Sequence, residues 1–143
     1  MADLSLKFDT GERTLELTDG KGKSVEVTFN PYDLMFLNEL VTAAESLDAE
    51  QAKLNDAKTD DWKAFYKKCV EVDKRMREIL DAIFNAPVCA TLFPRQTVYA
   101  VGGGVPAWGN FLFAIVDQMD VGMAAEKETA QKRIRKYSEK YKK

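Results

Sequence analysis

The chain has 143 residues, which suits one domain with a core of its own. At 45% hydrophobic and 31% charged it reads as globular, and a net charge of −2 gives the whole molecule no strong pull toward nucleic acid or an anionic membrane. It contains no histidine, which removes Ser-His and Cys-His relays and imidazole metal sites together.

The start, "MADLSLKFD", lacks the basic stretch and apolar block of a signal peptide, and the apolar run Phe111–Val116 is far too short to span a bilayer. Cys69 and Cys89 lie twenty apart with no C-x-x-C spacing, as expected of reduced thiols. Nothing identifiable would activate either as a thiolate. The expectation is a cytoplasmic protein without cofactor or metal.

The first thirty residues run in period two. Leu4, Leu6 and Phe8 alternate with polar neighbours. Leu15 and Leu17 do so after "DTGER", and Val25, Val27 and Phe29 after "DGKGK". Alternation places each set on one face, and Asp19-Gly20 is a tight-turn signal. The pattern predicts a three-stranded antiparallel meander over residues 1–30, too small to stand without a cover.

Asn30-Pro31 predicts the start of that cover, with Asn30 as cap and Pro31 in the first turn. Leu37, Leu40, Val41, Ala44 and Leu47 make an apolar stripe on a helix over about 31–56. Asp60 and Asp61 open a second helix, about 60–85, whose stripe runs through Trp62, Phe65, Tyr66, Cys69, Val72, Met76, Ile79, Leu80 and Ile83. The two suggest an antiparallel helical hairpin. A short helix over about 87–93 follows between Pro87 and Pro94, then an extended "QTVYAV", then a helix over about 106–125 carrying Trp108, Phe111, Leu112, Ile115, Val116 and Met119. The fold class is α+β: a small meander packed on a helical bundle, residues 1–125, with 126–143 as a basic C-terminal segment, helical or flexible.

The glycine run in "YAVGGGVPAWGNF" raises the question of a phosphate loop over Gly102–Gly104. A Walker loop needs lysine and then a hydroxyl after its second glycine, and Asn110 and Phe111 stand there instead. Ala107 breaks the dinucleotide frame, so a sharp reversal into a helix is the favoured reading, with phosphate or nucleotide binding as the alternative. The acidic pairs Asp60-Asp61, Asp117-Asp120 and Glu126-Glu128 suit helix starts and solvated faces better than a two-carboxylate hydrolase. Trp62, Tyr66 and Trp108 could form a stacking set, but Trp62 and Tyr66 four apart favour core packing, with any exposed part of that face serving as a contact surface.

The C-terminal segment stands apart in charge. Residues 126–143 hold eight basic and three acidic side chains, a local charge of +5. Ile134, Tyr137 and Tyr141 share one helical face within it; the segment reads equally as a frayed, solvated end of the last helix or as an amphipathic piece that docks on an acidic partner or a neighbouring subunit, with nucleic acid a minor reading.

The order of segments resembles a family of small proteins from the tail modules of Firmicutes siphophages and prophages, described as tail assembly chaperone-like proteins or tail components. The resemblance rests on "LKFDTGERTLEL", "VTFNPYDLMFLNEL", "DKRMREILDAIFNAPVCATLF", "TVYAVGGGVPAWGNFLFAIVDQMD" and "RIRKYSEKYKK", most specifically on "APVCATLF" through "PAWGNFLFAI". Relatives carry fewer glycines and an acidic residue near 102–104, where this chain has three glycines. The resemblance implies a non-enzymatic protein that coats the helical tape-measure protein during tail assembly, or else a structural component of the virion. It implies a tape-measure or other tail protein as partner and a homo-oligomer as a further possibility. The contact residues expected are Tyr32, Phe36, Trp62, Tyr66, Ile134, Tyr137 and Tyr141, with Phe36, off the main stripe of its helix, the best candidate for exposure.

Overall fold

In a computed structural model of the chain, residues 2–56, 60–119 and 123–140 are described. The protein is α+β. A hairpin of β1 (Arg13–Thr18) and β2 (Ser24–Phe29) leads into α1 (Leu34–Asp56) and α2 (Trp62–Phe84). The short α3 (Val88–Leu92), a tight hairpin of β3 (Val101–Gly102) and β4 (Val105–Pro106), and α4 (Ala107–Asp117) and α5 (Ala124–Glu139) complete it.

The second and third predicted strands are β1 and β2, antiparallel with Leu15 opposite Val27 and Leu17 opposite Val25. The first does not pair: residues 2–10 carry the right alternation but lie outside any sheet, so the meander has two strands among the described residues. Asp19 closes the hairpin, its carboxylate accepting from the Lys21 N–H at 2.7 Å and its own N–H reaching the Lys23 carbonyl at 3.1 Å.

The first helix starts later than predicted, and for a reason visible in its caps. Asn30 uses its carboxamide oxygen on the Tyr32 N–H at 2.9 Å, which makes a local turn. Asp33 is the cap instead, accepting from the Met35 N–H at 3.0 Å, so α1 opens at Leu34. Helix α2 starts as predicted, with Asp61 accepting from the N–H groups of Lys63 and Ala64. It ends at Asn85, which takes the left-handed conformation (φ 50°) that closes a helix. The predicted helix over 106–125 stops at Asp117, and a separate helix begins at Ala124. The predicted extended piece 96–101 is broken by a turn at Val98 and Tyr99, and only its last residue, Val101, is in a strand.

One core joins these parts. Val27 and Phe29 of β2 meet Leu37, Leu40, Val41, Ala44 and Leu47 of α1 and Val72, Met76, Leu80 and Phe84 of α2, all buried. Trp108, Leu112, Ile115 and Val116 of α4 and Ala130 and Ile134 of α5 close it. The 85–100 connection is held by polar side chains of α2. Arg77 donates to the carbonyls of Phe93 and Gln96 at 2.6 and 2.5 Å and to Asp73 at 2.8 Å, while Asp73 accepts from the Val98 N–H at 2.7 Å and Asp81 from the Cys89 N–H at 3.0 Å. These half-buried charges satisfy backbone groups that no helix or strand uses.

Candidate binding surface

Position along a helix, more than helical face, decides which aromatic residues of α2 stay outside. Trp62 and Leu80 are eighteen residues apart, five whole turns, so they share a face. Leu80 is fully buried and Trp62 is 70% exposed, because the rest of the chain leaves the first turns of α2 uncovered. Tyr66 (61%) and Val70 (49%) continue the row at four-residue spacing. Lys63 places its ammonium 6.0 Å from the centre of the Trp62 ring, so the row is apolar with positive charge beside it. Core packing, favoured for Trp62 and Tyr66 by their spacing, is therefore corrected for both.

A second exposed group, Tyr32, Leu34 and Met35, surrounds the start of α1. Phe36 does not join it. It is 7% exposed, stacked on Phe29 with centroids 4.5 Å apart and 5.8 Å from Phe84. The expectation that it would be the most exposed residue is overturned, because β2 and the end of α2 supply an aromatic pocket that α1's own periodicity could not reveal. Since α1 and α2 run antiparallel, Tyr32 lies at the opposite end of the hairpin from Trp62 and Tyr66.

The basic end behaves as part of the body. Helix α5 lies on α1 and α4, with Ile134 completely buried and Tyr137 half-buried against the core. Arg133 pairs with Glu45 at 2.5 Å and Lys140 with Asp48 at 2.8 Å, so basic groups of α5 meet acidic groups of α1. Gln131 donates to the Asp117 carboxylate and Lys127 to the Asp117 carbonyl at 3.0 Å. Ile134 is thereby placed in the core and away from any docking face. Tyr141, and Asp120 of the acidic pair, lie outside the described residues.

The glycine loop is a two-residue hairpin turn. Gly103 and Gly104 have φ of 66° and 84°, the pair of positive values that such a turn demands. The amides at the start of α4 point into the protein: Ala107 N–H donates to the Ala100 carbonyl at 2.8 Å and Trp108 N–H to the Val98 carbonyl at 2.9 Å. These two donors, which a phosphate would need, already have partners. Trp108, the third member of the proposed stacking set, is fully buried, its indole N–H donating to Gln51 at 2.7 Å. Burial, and then the nearby Asp81, push the Cys89 thiol far above its ordinary value, which holds it as an unreactive thiol. Among the described residues, no three His, Cys, Asp or Glu side chains are grouped to hold a metal, and no helix is long and apolar enough to cross a membrane.

Of the predicted contact residues, the structure brings Trp62 and Tyr66 together, sets Tyr32 apart, and buries Phe36 and Ile134. Val70, Leu34 and Met35 were missed by the sequence reading. Val70 was legible as the next step of a 62-66-70 row, whereas Leu34 and Met35 read as ordinary first-turn residues. No family model, curated protein or solved structure matches the chain.

Proposed function

We propose that the protein is a non-enzymatic binding module that uses the exposed start of α2 to hold an extended helical partner, in the manner of a tail assembly chaperone receiving a tape-measure protein. The observation that carries this reading is the uncovered row of Trp62, Tyr66 and Val70, on a helix whose cap and second half are well anchored. Aromatic side chains at i and i+4 on a rigid helix suit packing against a second amphipathic helix, and large aromatics concentrate binding energy at interfaces. The flanking Lys63 favours a partner with acidic residues beside its apolar stripe. Support for the particular partner comes from the segment resemblance over "APVCATLF" and "PAWGNFLFAI".

The test is calorimetric titration of the folded protein with fragments of a tape-measure protein encoded beside it. Binding at tens of micromolar or tighter is expected, and Trp62→Ala with Tyr66→Ala should weaken it at least tenfold while leaving the helical circular dichroism intact. A folded sample that binds no fragment would refute the reading. Mass spectrometry of purified particles then separates a chaperone, expected to be absent from them, from a virion component.

A further inference from the structure

Two unpartnered elements of this chain match each other. One is the N-terminal arm: Leu4, Leu6 and Phe8 are 91%, 86% and 77% exposed, an alternating apolar strand with nothing beside it. The other is β1, which is hydrogen-bonded to β2 on one side and has no strand on the other among the described residues. Beside that free edge runs an apolar groove of about 300 Å³, walled by Leu92 of α3 and Phe111 and Ile115 of α4. Leu15, Glu16, Leu17 and Thr18 all line it. Consecutive residues of a strand point to opposite faces, so their joint presence places the backbone edge of β1 in the groove.

We propose that residues 4–8 of one molecule add as a strand to the free edge of β1 in a second copy, and that the exchange is reciprocal, giving a two-fold symmetric dimer. Antiparallel addition with Leu6 opposite Leu15 sets Leu4 opposite Leu17, so the arm's apolar face continues the one that β1 turns to the core. Glu16 stands directly across from Glu26 in the hairpin, an unfavourable like-charge pair. The same register sets Ser5 across from Glu16, with Lys7 on one diagonal and Asp3 on the other, so the arm puts no further acidic side chain directly opposite it.

The root of the arm explains why a second copy supplies the strand. The Asn30 carboxamide donates to the Thr10 carbonyl at 2.9 Å, and Asp9 accepts from the Gly11 N–H at 2.8 Å. Gly11 has a φ of 91°, and a Cβ there would collide with the Asn30 side chain, so this corner is built for glycine. Together these contacts hold residues 9–11 against the end of β2 and leave the arm off its own β1. Exchange of an identical segment between copies is a low-cost route to a dimer, and it covers an edge that would otherwise pair indiscriminately. This inference stands apart from the partner-binding reading, since it requires no tail protein.

Sedimentation velocity of the full chain at tens of micromolar tests it first. Twice the monomer mass is expected, falling to the monomer mass in the Leu4→Asp, Leu6→Asp variant with unchanged circular dichroism. A monomeric native chain, or a dimer that survives both substitutions, would overturn it. A second measurement tells exchange from closure on the same chain. A tagged Leu6→Cys protein is mixed with an untagged Leu15→Cys protein, both carrying Cys69→Ser, and oxidised. A tagged–untagged disulfide product supports exchange, because strand neighbours fall within bridging distance. No mixed product, together with an intramolecular bridge in a chain bearing both new cysteines, would overturn it in favour of a meander closed within one molecule.

Discussion

The two ends of the chain each carry a regularly spaced row of side chains and treat it in opposite ways. At the C-terminal end, Ala130, Ile134 and Ser138 of α5 recur at four-residue spacing and are buried by the protein's own α1 and α4. At the N-terminal end, Leu4, Leu6 and Phe8 recur at two-residue spacing and stay in solvent. A helix satisfies its backbone internally and needs only a surface to lie on, whereas a strand needs a neighbouring strand before its side chains can be buried. The contrast teaches that a clear pattern fixes which face will be apolar and leaves open whether the same molecule supplies the other half.

The largest way to break this comparison is at Ile134. Cutting it to alanine removes a fully buried side chain between α1 and α4, with an expected loss of about 2–5 kcal/mol in a urea titration. A cost below about 1 kcal/mol would mean that α5 is only loosely docked and that the C-terminal end resembles the N-terminal one after all.

The seat of α5 gives the next effect. A Cβ at Gly109 would run into the Ser138 hydroxyl and the Val105 side chain, so α4 and α5 cross where only glycine fits. Gly109→Ala forces one helix outward, and overpacking of this kind costs about 1–3 kcal/mol, read as a lowered urea midpoint. The paired change Gly109→Ala, Ser138→Ala should recover part of that loss, since the hydroxyl is the nearest obstacle.

Gly109 also marks what the sequence could and could not disclose. In the one-dimensional reading it was the second glycine of a failed phosphate frame, and its actual neighbour is twenty-nine residues away. Period and caps made α2 legible: Asp61 and the 72-76-80 stripe lie where local rules put them. Phe36 was illegible because its pocket comes from Phe29 and Phe84, on two other elements. Trp62 was misplaced because helical periodicity reports a face, and its exposure depends on where the neighbouring elements stop. The first predicted strand carries the alternation expected of it, but not the pairing among the described residues. The Asn30 and Asp9 contacts that turn the arm aside are tertiary and polar, with no signature in an alternation of leucines.

A smaller effect concerns the acidic side of the body. Glu50 lies between Lys53 at 2.8 Å and Arg75 at 2.9 Å, which ties α1 to α2. Burial alone would raise its carboxyl, but the hydrogen bonds to Lys53 and Arg75 outweigh that and hold it below the ordinary value. A depressed carboxylate stabilises the fold above its unfolded value and loses that contribution as pH falls through the folded one. Both cationic partners are well exposed, so Glu50→Gln should cost about 1 kcal/mol or less near neutral pH. The gap between variant and native chain should close as urea titrations are moved to about pH 3. A gap that stays constant across that range would show that packing, not charge, is what Glu50 contributes.

The smallest expected effect is the sharpest for the two ends. Leu6 is 86% exposed in its own chain, so Leu6→Ser should leave the stability of the dilute monomer within about 0.5 kcal/mol of the native value, ten times less than the upper figure for Ile134. Concentration is the variable that should separate the two substitutions. Anything that binds only the folded state raises apparent stability by mass action, so a second copy's arm would make the native melting temperature climb with protein concentration. Leu6→Ser should flatten that climb, whereas Ile134→Ala should lower the whole curve and keep its slope. A Leu6→Ser chain that is already less stable when dilute would show the arm packed against its own molecule, and the difference between the two ends would then be one of degree.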